Sequence, residues 1–165
     1  MIIAGWAGIG KTTLAKKYSN VIDIESSPFK WDYTGMDPGD YEKMKGRKDR
    51  IPNKNFPQNY INAVKEAEKR YDVVCVWCHP EQIFPHYDKN GIDYIICYPS
   101  KDAIVEYEDR MRGRGNSEEF IAGVMNSFDK RWEEFLSNPH KKIILDKGET
   151  LENRLIKMGV KLIKK

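Results

Sequence analysis

Residues 5–12 read Gly5-Trp6-Ala7-Gly8-Ile9-Gly10-Lys11-Thr12, which fits the pattern G-x-x-x-x-G-K-[ST]. Nothing else in the chain narrows its fold so far, because each residue type answers a geometric demand. Gly5, Gly8 and Gly10 permit backbone turns closed to other residues and a close approach to a ligand. Successive N–H groups, those of Gly8, Ile9 and Gly10 among them, then point inward as an anion nest. An apolar run, Met1–Ala4, precedes the loop and an amphipathic segment, Lys11–Tyr18, follows it. The loop is therefore expected to join a strand to a helix whose positive end faces the nest. The ligand that fits is the phosphate chain of a nucleoside triphosphate, ATP or GTP. Lys11 is expected to bridge the β- and γ-phosphates, Thr12 to ligate Mg²⁺, and Thr13 to bond the α-phosphate.

Beyond this P-loop the pattern alternates strand and helix. Val21–Ile24 reads as a second strand. Gln58–Arg70 places Tyr60, Ile61, Val64 and Ala67 at helical spacing. Asp72–Trp77 and Tyr94–Tyr98 are continuous apolar runs of the kind found in buried parallel strands. A short helix is expected within His79–Lys89. Another runs from Pro99-Ser100 to about Met111, with Ser100 as its cap. After Gly113-Arg114-Gly115 a long helix is expected through Leu136, capped by Asn116 or Ser117; Asn116 and Glu119 have capping-box spacing. Lys142–Leu145 is a last core strand, Thr150–Met158 a short helix, and Val160–Ile163 a candidate short strand. Alternating elements imply right-handed crossovers and a parallel sheet. The expected architecture is a single α/β domain, a three-layer α/β/α sandwich with a mostly parallel sheet of about five strands, the P-loop NTPase fold.

Residues 26–56 interrupt the alternation with turn-forming Pro and Gly residues and many charges. A connection of about thirty residues is longer than most within compact domains and reads as a functional lobe. A short helix from Pro38 to Lys45 is expected inside it.

A chain of 165 residues can bury the core of one domain. Its net charge of +3 does not argue for nucleic acid or a membrane surface. No segment approaches the roughly 20 apolar residues that span a bilayer. Removal of a leader would destroy the first strand, so export is not expected. Cys75, Cys78 and Cys97 fit a reducing cytoplasm. Cys75-Val76-Trp77-Cys78-His79 spells a haem-attachment sequence. It lies on a predicted buried strand, where positions three apart face opposite ways, and the cysteines are read as core residues. His79, His86 and His140 supply no convincing zinc set.

The class of nucleotide protein narrows by elimination. No Asn-Lys-x-Asp guanine motif follows, and Asn53-Lys54-Asn55 lacks the aspartate. The signatures of a protein kinase are missing. The strand at Trp77-Cys78-His79-Pro80 ends without the carboxylate that a motor ATPase would carry. What remains resembles the nucleoside monophosphate kinase group of P-loop kinases. The likeness rests on the N-terminal P-loop, the acidic end of the second strand (Asp23, Glu25), the insert, and the turn Glu108-Asp109-Arg110-Met111-Arg112-Gly113-Arg114-Gly115-Asn116. More narrowly, the run from Tyr98-Pro99-Ser100 through Arg110, Arg114-Gly115 and Phe120 resembles small nucleotide kinase-like proteins of bacteriophages and their hosts.

The resemblance implies an ATP·Mg²⁺ donor, an acceptor-binding insert at 26–56 and a lid at about 110–117. Phosphoryl transfer asks for positioning and charge stabilisation. Arg110 and Arg114, four apart, can share a helical face and clamp β/γ oxygens. Arg131 is a further candidate for the same cleft. Arg47 and Arg50 are candidates for an acceptor phosphate, and Trp31, Tyr33 and Tyr41 for stacking on a base. Asp23 and Glu25, two apart at a strand end, face one side and overlook the crevice. One of them is a candidate to hold Mg²⁺ through water or to take a proton from an acceptor hydroxyl. Asp146 is a weaker candidate, and the loop Lys147-Gly148-Glu149-Thr150 falls where such kinases contact adenine. The leading expectation is transfer of the ATP γ-phosphoryl to a nucleoside monophosphate or related nucleotide, by a monomer or homodimer. Two rivals stand beside it: a kinase of a nucleoside or nucleic-acid hydroxyl, and a non-catalytic nucleotide sensor with an exposed apolar patch that includes Trp6.

Overall fold

The computed structural model describes residues 1–37, 40, 44, 47 and 49–165. Five strands, β1 (Ile2–Gly5), β2 (Val21–Asp23), β3 (Val73–Trp77), β4 (Tyr94–Pro99) and β5 (Lys142–Leu145), form one all-parallel sheet in the order β2-β3-β1-β4-β5. The β1 strand is fully buried and hydrogen-bonds on both sides, which explains its uninterrupted apolar sequence. In register, Gly5 lies beside Trp77 of β3 and Cys97 of β4.

Helices α1 (Lys11–Lys17), α2 (Ser27–Lys30), α3 (Gln58–Glu68), α4 (Phe84–Lys89), α5 (Ile104–Gly113), α6 (Glu118–Ser137) and α7 (Leu151–Lys157) fill the connections. The α7 residue Glu152 joins α1 through Lys17 and the Tyr18 hydroxyl. Phe84 of α4 meets Phe135 of α6 and Tyr94 of β4. These two groups of contacts are consistent with a helix layer on each face of the sheet. The chain leaves β1 toward β2 on one side and later reaches β4 on the other. The carboxyl end of β1 is thus where connections diverge and a crevice opens.

Most elements lie within a residue or two of their expected bounds, and the exceptions have physical causes. Ser117, not Asn116, caps α6, its hydroxyl accepting from the Phe120 N–H at 3.2 Å. Ser100 makes no side-chain cap; a single 3₁₀ turn, Lys101–Ala103, leads into α5 instead. Val160–Ile163 is not a strand. The tail is held by the Ser19 N–H to Ile163 carbonyl bond and an isolated bridge between Tyr18 and Lys164. Trp6 is buried, with its ring edge-on to Phe128 and Phe135, so it belongs to no exposed patch.

The insert closes at its base. Trp31 bridges Pro52, Asp32 N–H donates to Ile51 O at 2.7 Å, and Asn53 N–H to Lys30 O at 2.9 Å. Most of the helical piece expected at 38–45, with Tyr41, lies outside the described residues. Cys75, Cys78 and Cys97 are buried, free thiols, and burial pushes the first two up to about 12. They behave as core residues.

Tyr60 of α3 ties three elements together. Its buried hydroxyl donates to Ile24 O and accepts from Trp77 N–H, each at 2.8 Å. Substituting Tyr60→Phe strands a carbonyl and an N–H at the ends of β2 and β3. We expect a loss of roughly 2 kcal/mol, read as a lower urea midpoint with an unchanged slope.

Candidate functional site

The site grows from the glycine loop. Gly8 and Gly10 have φ of 84° and 100°, a region closed to most side chains. A Cβ on Gly5 would lie 2.5 Å from Ile9 Cδ1 and 2.9 Å from Lys11 Cδ. Lys11 therefore runs directly over Gly5, and its Nζ donates to Gly5 O at 2.8 Å and Trp6 O at 3.0 Å. Among the described residues, the ammonium is held at the mouth of the loop by these two carbonyls. Next to it, the Thr12 hydroxyl donates to Asp23 Oδ2 at 2.7 Å. The end of β2 thus supplies a carboxylate to the loop across the intervening strand β3.

A cavity of about 200 Å³ opens beside the loop, lined by Gly8, Ile9, Gly10 and Thr13 together with Arg110, Arg114, Thr150 and Glu152. Arg110 lies over the Tyr107 ring at 4.5 Å and pairs with Glu106 at 3.5 Å. Tyr107 itself is buried directly under Gly8, where a Cβ would come within 3.2 Å of its ring. The α5 helix is therefore docked onto the loop through Tyr107. Arg114 is the first residue after α5 yet keeps helical backbone angles, which leaves it on the same side as Arg110.

The other basic residues separate clearly. Arg112 points elsewhere and joins Glu108 at 2.9 Å and Glu118 at 2.8 Å, pinning α5 to α6. Arg47 pairs with Asp49 on an exposed stretch. Arg50 lies 4.1 Å over the Trp31 ring and donates to Arg47 O. Lys45 and Lys48, its neighbours in the sequence, lie outside the described residues. Arg131 reaches the end of β3, with Nη2 3.0 Å from His79 Nε2. Asp23 and Glu25 line the same apolar groove with Ile22, Ile24, Phe29, Ala67 and Tyr71. Among the described residues no three His, Cys, Asp or Glu side chains gather as a metal cluster, so Thr12 and Asp23 are the candidates to hold a divalent cation.

Comparison with known proteins adds no assignment: no protein-family model matches the chain, and no curated protein matches it. No helix among the described residues is long and apolar enough to cross a membrane.

Lys30, Trp77 and His79 were not expected at this site. Lys30 Nζ is 4.7 Å from the Trp77 ring centre, and the Trp77 and His79 rings are 5.3 Å apart. Burial first, then the Arg131 charge, pushes His79 down to about 4, which keeps its imidazole neutral. A signal was present in the sequence: Trp77-Cys78-His79 ends the strand beside the loop, the position at which a carboxylate was sought.

The loop after β5 is locked by charge. Glu149 is 7% exposed and bonds Arg154, Lys157 and the Asp146 N–H. Arg154 also approaches Asp146 at 3.4 Å. The Gly148 N–H donates to Glu106 at 2.9 Å, linking this loop to the helix that carries Arg110. The hydrogen bonds from Arg154, the largest influence, hold the Glu149 carboxyl at about 2, below its ordinary 4.5. Its folded value is depressed, so its contribution to stability is full above 4.5 and is lost as pH falls toward 2. Glu149→Gln should destabilise at pH 7 by roughly 2 kcal/mol, and urea titrations should show the gap from wild type narrowing between pH 4.5 and 2.

Proposed function

We propose that this chain is a phosphotransferase of the P-loop kinase kind, moving the γ-phosphoryl of ATP to a nucleoside monophosphate or related nucleotide. The observation that carries the reading is the single cavity that Arg110 and Arg114 line together with Gly8, Ile9, Gly10 and Thr13. A glycine nest alone binds phosphate. A nest joined by two guanidinium groups can also stabilise charge on a phosphoryl group in transfer.

In this reading the loop amides and Lys11 hold the donor phosphates. Lys11 Nζ, bonded to two carbonyl oxygens and, among the described residues, to no carboxylate, can turn its protons to phosphate oxygens without breaking an ion pair. Thr12 and Asp23 hold Mg²⁺, which when bound neutralises charge on the β- and γ-phosphates. An ionised phosphate oxygen of the acceptor forms the new P–O bond as the bond to the β-phosphate oxygen breaks. ADP leaves with that electron pair, and the acceptor leaves one phosphate longer. An ionised oxygen has no proton to give up, so Asp23 is free for the cation. The insert, residues 26–56, forms the acceptor side, and the end of α5 with the turn that follows, about 110–117, forms the lid. The cytoplasm, where ATP and reduced thiols coexist, is the compartment this reading implies.

The test is ADP production from ATP·Mg²⁺ with each ribo- and deoxyribonucleoside monophosphate in turn. One acceptor should stimulate turnover. Lys11→Ala and Arg110→Ala should each lower it about 10²–10³-fold. Binding of ATP with no stimulation by any monophosphate would sink the proposal.

A further inference from the structure

A second group of ligand-binding side chains lies beside the loop, on the flank of β3. Trp77 occupies the register position next to Gly5, and its backbone is fixed on both sides. Its N–H donates to the Tyr60 hydroxyl at 2.8 Å, and its carbonyl accepts from the Tyr87 hydroxyl at 3.0 Å. Lys30, from the end of α2, lies 4.7 Å over the Trp77 ring and 5.6 Å from the Trp31 ring. Arg50 covers Trp31 at 4.1 Å. Arg131 arrives from α6 at His79.

Four elements thus bring three cations and two indoles together, each side chain half-buried. Among the described residues neither Lys30 nor Arg50 has a carboxylate within ion-pair distance; Arg131 has only Glu134, at 3.7 Å. Gathering like charges in a partly desolvated place is unfavourable. Burial and then the Arg50 charge lower the Lys30 pKa, the direction that crowding of this kind produces. An anion relieves that strain. Flat rings beside the cations add a surface on which a planar group stacks.

We infer that Lys30, Trp31, Arg50, Trp77, His79 and Arg131 form a second ligand site, one that takes a nucleotide unit by stacking its base on an indole and pairing its phosphate with the cations. Lys30 and Arg50 turn to the phosphate when it arrives, exchanging cation–π contacts, and for Lys30 the bond to Gln82 Oε1, for charge-assisted hydrogen bonds. Binding at this site does not depend on the phosphotransfer reading; its assignment as the acceptor's place does. The unit can belong to a free mononucleotide or to the end of a strand, and the two sources share this chemistry.

The experiment is equilibrium dialysis of labelled nucleosides, nucleoside 5′-monophosphates and short single-stranded oligonucleotides. It compares wild type, Lys11→Ala, the Lys30→Ala/Arg50→Ala pair, and Trp77→Phe, with the urea midpoint of each as a check on the fold. We expect a monophosphate to bind wild type and Lys11→Ala alike, and about 10-fold or more weakly to the double variant. The matching nucleoside should be unaffected by the loss of the cations. Trp77→Phe should weaken nucleoside and monophosphate together. A monophosphate bound more tightly than the oligonucleotide identifies a free nucleotide as the source; the reverse order identifies a strand end. Three results overturn the site: binding lost only in Lys11→Ala, binding equal in wild type and the double variant, or no binding of either phosphate-bearing probe. Should the site bind as described while no transfer occurs, it stands and the phosphotransfer reading falls. If transfer occurs with an acceptor KM that the double variant leaves unchanged, the site falls and phosphotransfer stands.

Discussion

The fit of the Lys11 side chain over Gly5 sets the terms for everything around it. A Cβ at Gly5 would displace the Ile9 and Lys11 side chains, which already occupy that space. A glycine at the strand's end leaves the lysine room to fold back to the Gly5 and Trp6 carbonyls. The next residue then continues the sheet: Trp6 N–H donates to Cys97 O at 2.8 Å, and its indole enters the core between Phe128 and Phe135. The loop is thereby anchored from beneath by Trp6 and braced against α5 by Tyr107 under Gly8. A glycine loop built this way is held in place by its own side chains, which is what a site that acts by positioning requires.

Much of this was legible in the sequence because it depends on local rules. A glycine pattern between an apolar run and an amphipathic run specifies strand, loop and helix with little help from elsewhere. Buried parallel strands announce themselves as unbroken apolar runs, so β3, β4 and β5 were found within a residue or so. The pairing of Arg110 with Arg114 was readable from their spacing. The separation of Arg112 from them was less so, since it depends on Glu118 across a turn. Trp6 was misjudged for a related reason. A tryptophan among loop glycines reads as exposed until the long helix α6 is known to lie against that side of the sheet.

The residues that sequence reasoning missed are those whose role comes from convergence. Lys30 ends a four-residue helix and Trp77 ends a strand. They are far apart in the chain, and no spacing rule relates them. What distinguishes them in the structure is their partners. Arg47, Arg112 and Arg154 each meet a carboxylate and so are neutralised in place. Lys30 meets ring faces and the Gln82 side-chain oxygen, and Arg50 a ring face and the Arg47 carbonyl; neither meets a carboxylate among the described residues. Cations over rings remain able to bind an anion, because the ring gives up less than a carboxylate would.

The position of the acid follows from the same division. Asp23, at the end of the edge strand β2, reaches Thr12 across the line of β3. With the carboxylate supplied from β2, the end of β3 is free to carry Trp77 and His79 next to the loop. A carboxylate in their place would attract Lys30 and Arg131 into ion pairs and cancel the positive field there. Under the phosphotransfer reading the two halves of the site are then complementary. The glycine loop, Thr12 and Asp23 manage the donor and its cation, while the indoles and unneutralised cations on the β3 flank receive a second anion. The sheet holds the two halves in fixed register, because Gly5 and Trp77 are neighbouring residues of paired strands.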